Sequence, residues 1–324
     1  MRTVKTDENK RRKSLISKKY GKVVKGLGGL YEIKLDGEPL RVLCRAKGVL
    51  RRDEEKLLVG DNVTVSIDDE TPDGVVVSEI RERKNSLIRP PLANLDYIFI
   101  VFAAKKPDPV IETVDKLIAI AVHNGIEPVI VITKSDIDTT AAEEYKEIYE
   151  KINLRAFVTS SLNEEGTEEL RGFIEEKLVM GKTAAFAGAS GVGKSTVMNT
   201  LFPTLGLATG EISRKIERGR HTTRHVELFA LSDADDTGYI ADTPGFSLID
   251  FERFDFFELS DLISTFPELL PYIGRCRYAD CAHSGESAAE CAVARAAEEG
   301  EIPMTRLNSY RAIYKVLKEK NRYG

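Results

Sequence analysis

Residues 188–195 read Gly188-Ala189-Ser190-Gly191-Val192-Gly193-Lys194-Ser195, with Thr196 next. The spacing G-x-x-x-x-G-K-[ST] is that of a loop that wraps phosphate. Its glycines let the backbone turn successive N–H groups inward, and the helix that follows points its positive end at the same anion. The flanks agree, because Thr183–Ala187 is an apolar run of strand length and a helix is predicted from near Lys194. In such a loop Lys194 reaches the β- and γ-phosphates, and the Ser195 hydroxyl ligates Mg2+.

The texture around this loop predicts an α/β domain. Apolar runs at Tyr97–Phe102, Pro128–Ile132, Ala156–Val158 and Gly238–Ala241 read as strands. Between them, Val110–Val122, Ala141–Ile152 and Glu168–Leu178 carry helical spacing. Strands alternating with helices give a mostly parallel sheet covered on both faces.

Three further motifs lie at the ends of predicted strands. Asp242-Thr243-Pro244-Gly245 follows Gly238–Ala241, where Asp242 can hold the Mg2+ shell and the Gly245 N–H can sense a γ-phosphate. Thr133-Lys134-Ser135-Asp136 follows Pro128–Ile132. An aspartate there accepts from both N1–H and the N2 amino group of guanine, and adenine has no such pair of donors. The stem of Lys134 can lie along the purine, and Thr133, where Asn is commoner, can still hydrogen-bond the phosphate loop. Ser135 or Asp136 could alternatively cap the following helix. Thr159-Ser160-Ser161 follows Ala156–Val158, where Ser160 and Ser161 would face guanine O6.

Between the phosphate loop and Asp242 lies Gly219-Arg220-His221-Thr222-Thr223. Thr222 or Thr223 would close over the nucleotide as a switch. The residue after Gly245 is Phe246, which cannot position water. His221 is therefore the candidate to orient or deprotonate it, with His225 as the alternative.

The order of these motifs is unusual. Ras-like proteins carry the phosphate loop first and the guanine motif later, whereas here residues 133–136 and 160–161 precede residues 188–196. Rejoining the halves restores the usual cycle, so the sequence predicts a circularly permuted P-loop GTPase domain.

That domain is expected over residues 89–252, beyond the Pro90-Pro91 pair. Residues 1–20 read as a basic arm, because ten Lys or Arg face only Asp7 and Glu8 between Met1 and Lys25. Residues 21–88 hold five short strand candidates punctuated by Gly28-Gly29, Asp36-Gly37, Gly60-Asp61 and Asp73-Gly74, as in a small oligonucleotide-binding (OB-type) barrel. Its Arg41, Arg45, Lys47, Arg51 and Arg52 favour RNA as its partner. Residues 253–324 read as a helical domain bearing Cys276, Cys281, His283 and Cys291. Three thiolates and an imidazole make a closed structural zinc site. Cys44 reads as a small buried apolar residue, and His123 as a helix-end residue without a role. A net charge of −5 argues against wholesale nucleic-acid coating, and no apolar run reaches the length of a membrane span. A cytoplasmic monomer is expected.

Taken together, the motif order, Gly219–Thr223, Asp242–Phe246 and the Cys276/Cys281/His283/Cys291 cluster resemble the ribosome small-subunit-dependent GTPase A family, permuted GTPases that assist small-subunit maturation in bacteria. The resemblance covers nearly the whole chain. It implies that the barrel and zinc domain contact ribosomal RNA, that small subunits stimulate hydrolysis of GTP to GDP, and that His221 is the catalytic histidine. Thr133 in place of Asn and a longer interval from His283 to Cys291 depart from the family pattern. Two other readings compete: a nucleotide-gated RNA-binding module in which hydrolysis is incidental, and a P-loop ATPase, which residues 133–136 oppose.

Overall fold

Short β-branched runs separated by glycine turns close on themselves in the N-terminal part of the chain. A computed structural model describes residues 17–39, 41–46, 56–67, 74–163, 165–203, 226–232, 234, 237–242 and 255–323. His221, Thr222, Thr223, His225, Gly245 and Phe246 lie outside the described residues, as do Lys47, Arg51, Arg52 and the first sixteen residues of the arm. The chain forms two compact units, Met1–Arg83 and Lys84–Gly324.

The first unit holds β1 (Ser17–Leu27), β2 (Leu30–Leu35), β3 (Arg41–Ala46), β4 (Asn62–Ile67) and β5 (Val75–Ile80). β1 pairs antiparallel with β2, β2 with β3 and β5 with β4, while β3 and β5 run parallel. The β1–β4 pairing closes the barrel, giving the five-stranded OB-type arrangement. β1 begins at Ser17, so Lys18 and Lys19 belong to a paired strand rather than to the arm; they face Ser66 and Val65 across the ladder. β1 serves both neighbours: Gly21 faces Leu35 on one side and Val63 on the other, a Cβ there would meet the Lys34 carbonyl at 2.5 Å, and the register with β2 shifts between Val23 and Lys25. Val23, Ile33, Leu35, Val63, Val65 and Val77 fill the interior. Cys44 lies among them, and burial pushes its thiol up to about 11, as suits a small apolar filler. Where the chain leaves the barrel, Arg83 forks onto buried Asp61 at 2.6 and 2.8 Å.

The second unit opens with a hairpin, β6 (Ser86–Leu87) and β7 (Leu92–Ala93), whose connection contains Pro90 and Pro91. There follow β8 (Tyr97–Ala103), α1 (Ile111–His123), β9 (Glu127–Thr133), α2 (Thr139–Lys151), β10 (Arg155–Val158), α3 (Thr167–Lys177), β11 (Thr183–Ala187) and α4 (Lys194–Leu201). Two further strands, β12 (Glu227–Ala230) and β13 (Tyr239–Asp242), complete the sheet. Its order is β10-β9-β8-β11-β13-β12, parallel except for β12. Every residue of β8 is buried, as a central strand with both faces covered requires. Phe99 and Phe186 stack at 4.8 Å on one face, with Phe173 of α3 edge-on to Phe99.

The chain builds one half of the sheet outward from β8 through β9 to β10. It then crosses to the other side of β8 to lay down β11. Strand order reverses between β8 and β11, and ligands of such sheets bind at the carboxyl ends of the strands beside that reversal.

Beyond residue 254 come two 3-10 segments, Leu262–Thr265 and Pro267–Tyr272, then α5 (Ala292–Glu298) and α6 (Met304–Tyr323). This segment belongs to the second unit, and α6 packs on α1. No helix of the described residues is long and apolar enough to cross a membrane.

Candidate nucleotide site and metal centre

Three loops meet at the carboxyl edge of the sheet. The first leaves β9 at Thr133, whose side chain is buried. Its hydroxyl lies 2.5 Å from the Val192 carbonyl and 3.3 Å from that of Phe102. With one proton to give, it donates to the nearer, so Thr133 does hydrogen-bond the phosphate loop. Lys134 adopts a positive φ of 57°, which turns its chain back across the same loop. Its ammonium sits 2.5 Å from the Lys106 carbonyl and 2.9 Å from that of Gly191. Two consecutive residues of the β9 loop therefore grip two consecutive residues of the loop after β11.

Asp136 is exposed, and one of its oxygens lies 2.5 Å from Ser160 Oγ. Ser160 is buried and its oxygen already accepts the Leu162 N–H at 3.2 Å, so its proton goes to Asp136. The carboxylate is thus oriented from the β10 loop. The backbone of Ser160 is fixed in turn by the Glu165 carbonyl, at 3.1 Å. Gly166, just beyond, has a φ of +68°, and a Cβ there would lie 1.8 Å from the Val158 carbonyl. Helix α2 is capped by Asp138, which accepts from the Ala141 N–H at 3.0 Å. Neither Ser135 nor Asp136 has that duty, so the carboxylate of Asp136 is free of the helix. Ser135 is buried, and Ser161 is exposed beside Leu162.

The phosphate loop follows β11 directly. Gly188 has a φ of +146°, and a Cβ there would meet the Val101 carbonyl at 2.0 Å, so only glycine fits. Gly191 and Gly193 also have positive φ, and Gly193 opens α4. Ala189 and Ser190 form the exposed rim, while Val192 is buried in the core beneath. Lys194 Nζ arches back to 2.7 Å from the carbonyls of both Gly188 and Ala189. Ser195 and Thr196 stand in the first turn of α4, whose N–H groups make the positive end of the helix. The backbone puts Asp242 at the carboxyl end of β13, the strand beside β11.

A second constellation lies in the C-terminal segment. Cys276, Cys281, His283 and Cys291 offer ligand atoms that all fall within 4.8 Å of one another. His283 Nδ1 is 3.5, 3.5 and 3.3 Å from the three sulfurs, and Cys276 Sγ is 3.9 Å from Cys291 Sγ. A tetrahedral zinc with bonds of about 2.3 Å to sulfur and 2.0 Å to nitrogen spaces its ligands by about 3.8 and 3.5 Å. The donor set fits. Burial lowers the His283 pKa, which keeps a neutral, ligating imidazole. The Ala292 and Ala294 N–H groups donate to the Cys276 and Cys291 sulfurs at 3.3 and 3.4 Å, so the backbone that opens α5 orients both. The long interval after His283 does not displace Cys291, which heads α5 with its sulfur closing the tetrahedron.

Sequence reading missed the Lys106 carbonyl, the Asp138 cap and a buried Arg306–Asp115 pair. Asp138, ahead of a helical run, had a readable signal; the other two join distant segments and had none.

The chain matches the RsgA GTPase family over residues 80–252 and the RsgA N-terminal domain over residues 20–76. The small ribosomal subunit biogenesis GTPase RsgA of Alkaliphilus metalliredigens is 37% identical over 304 residues, spanning 94% of this chain and 99% of that one. A second such protein, from Listeria innocua, is 39% identical over 93% of this chain and 98% of its own. Among solved structures, YjeQ from Thermotoga maritima superposes with a TM-score of 0.75 at 31% identity, over 93% of this chain and 99% of that one. YloQ, a circularly permuted GTPase, does so with a TM-score of 0.72 at 32% identity, over 94% and 96%. With matches along nearly its whole length, and with the permuted sheet that carries its loops, the chain belongs to the RsgA GTPase family.

Proposed function

We infer that this protein hydrolyses GTP to GDP and phosphate and acts in biogenesis of the small ribosomal subunit. The observation that carries the reading is the pair of contacts from Thr133 and Lys134 to Val192 and Gly191, which makes one pocket of a base-reading loop and a phosphate loop. In it Asp136, held by Ser160, accepts from guanine N1–H and N2; Lys134 flanks the purine, and Ser135 and Ser161 complete that wall. The backbone of Gly188 to Gly193 wraps the phosphates, with Lys194 on the β- and γ-phosphates and Thr196 beside them. Ser195 and Asp242 would hold Mg2+, which neutralises charge on the phosphates. Thr222 or Thr223 and the Gly245 N–H would report the γ-phosphate. His221 would orient the attacking water and accept its proton, since Phe246 cannot.

The four-ligand centre holds one structural zinc ion, which fixes the C-terminal segment. Small-subunit RNA is the partner of the barrel and of the metal-bearing segment. The protein works as a monomer in the cytoplasm. The deciding experiment is GTP turnover by the purified protein, alone and with small or large ribosomal subunits. Strong stimulation by small subunits alone is expected; equal turnover in all three mixtures would remove the partner.

Phe246, where Ras-like enzymes place a water-orienting Gln, favours a second reading. In it GTP merely gates RNA binding and hydrolysis is incidental. His221→Ala decides: function retained without turnover would support gating, whereas loss of both with GTP binding preserved would exclude it.

A further inference from the structure

Arg306, on α6, is wholly buried, and so is Asp115, on α1. Arginine Nη1 lies 2.6 Å from Asp115 Oδ1, and Nε lies 2.7 Å from Glu268 Oε1 in the second 3-10 segment. The guanidinium sits 4.3 Å over the ring of Phe266. The same Asp115 oxygen accepts from the Tyr149 hydroxyl, 3.3 Å away near the end of α2. Burial and the adjacent carboxylate push Tyr149 well above its ordinary pKa, so it remains a protonated donor. One cluster thus joins α1, α2, α6 and the segment before the metal ligands.

The cluster is poorly built for stability alone. Asp115 Oδ2 and Arg306 Nη2 are buried and find no hydrogen-bond partner among the described residues. Desolvating an ion pair costs more than its attraction returns unless every proton and lone pair is used, and apolar side chains of similar volume often hold as well or better. Apolar packing, however, tolerates small slips between helices. A guanidinium fork that must meet carboxylates from two different elements is satisfied in one docking only.

What that docking positions is legible in α2. At its far end Thr139 Oγ1 donates to the Ser135 carbonyl at 3.0 Å, inside the base-reading loop. At its near end, besides Tyr149, Lys151 Nζ bonds the Gly300 carbonyl just after α5. Helix α2 is a strut with the nucleotide site at one end and the metal-bearing module at the other.

We propose that Arg306 is a positioning residue: with Asp115 and Glu268 it fixes the metal-bearing C-terminal module in one register on α1 and α2, so that a partner bound to the module is felt at the nucleotide site. Only the last step, transmission to hydrolysis, rests on the small-subunit reading above.

The test replaces the whole cluster, Asp115→Leu, Glu268→Leu and Arg306→Met together, so that no charge is stranded. The variant is expected to fold, to retain one zinc per chain, and to keep GTP affinity and unstimulated turnover within about twofold. Amide exchange in α5 and α6 should quicken about tenfold or more while β8 and β11 stay as they were. Stimulation by small subunits should drop by about tenfold. Arg306→Lys, which keeps the charge but not the fork, should shift exchange the same way and serves if the triple variant fails to fold. Unchanged exchange in α5 and α6 of either folded variant overturns the proposal. Faster exchange with stimulation intact overturns the transmission. If the unaltered protein is not stimulated at all, the small-subunit reading fails while exchange still decides the register.

Discussion

Replacing Thr133 by Val removes one hydroxyl and almost no volume, and it cuts the bond between the base-reading loop and the phosphate loop. The Val192 carbonyl, 2.5 Å from that hydroxyl, loses its donor in a buried setting, since Val192 is 3% exposed. An unpaired buried acceptor costs about 1–3 kcal/mol. Gly191 and Gly193 on either side give the loop the freedom to turn that carbonyl toward water when no nucleotide holds it, so the cost is expected on binding more than on folding. Nucleotide binding has to bring the loop back, and the penalty falls there. GTP and GDP affinity should therefore fall about 5- to 150-fold, at 1.4 kcal/mol per factor of ten, with little change in melting temperature. Titration of a fluorescent GDP analogue, with a melting curve on the same sample, measures both. Unchanged affinity would refute the idea that Thr133 joins the two loops. A large loss of melting temperature would show that the hydroxyl serves the core instead. Thr133→Asn offers a longer donor from the same position and should retain more affinity than Val.

Gly188→Ala should abolish nucleotide binding, because the new Cβ would lie 2.0 Å from the Val101 carbonyl at a φ of +146°; a binding titration that matches the unaltered protein would contradict this geometry. Ser160→Ala removes the donor 2.5 Å from Asp136 and should lower the preference for GTP over ATP by about tenfold, as the loss of a charge-assisted hydrogen bond implies. Competition of ATP against labelled GTP reads the ratio. Cys44, buried and with its thiol pushed up to about 11, should resist iodoacetamide at pH 8 in the native state and react on unfolding, as mass spectrometry would show.

What could be read in the sequence was whatever repeats locally. Thr183–Ala187 is β11 to the residue, because an apolar run bounded by a glycine loop carries its own limits. The order of the loops along the chain dictated the permutation, and the sheet order bears it out. Three thiols and an imidazole within sixteen residues announced the cluster that could hold a metal ion. β12 escaped notice because it is only four residues long with Leu228 alone buried, so it has no alternation to read. Arg306 reads as one more cation on a basic helix, and nothing local tells that it meets Asp115, 191 residues earlier. The Thr133–Val192 bond, across 59 residues, is equally silent. Both are single pairings between segments that only the tertiary fold brings together, one between two helices and one between two loops, and periodicity carries no trace of them.

Helix α1 carried one signal that, properly weighed, foretells the role of the C-terminal segment. Val114, Leu117, Ile118, Ala119, Ile120 and Ala121 are all buried, and they point to more than one side of the helix. A helix apolar on two sides needs a layer beyond the sheet. Asp115 marks the side that α6 covers, and Ile118 and Ala119, three and four residues on, share that face. A chain ending at residue 254 would bare this face and strand the Asp115 carboxylate without its arginine. Losing a buried salt-bridge partner alone costs about 3–5 kcal/mol, and each large apolar side chain exposed adds about 1.5–3 kcal/mol. That sum rivals the whole stability of a typical domain, about 5–15 kcal/mol. The truncated protein is therefore expected to aggregate, or to bind a hydrophobic dye, under conditions where the full chain does neither. A truncated chain that stays soluble and melts like the full one would mean that the sheet and its helices stand without the layer that α6 provides.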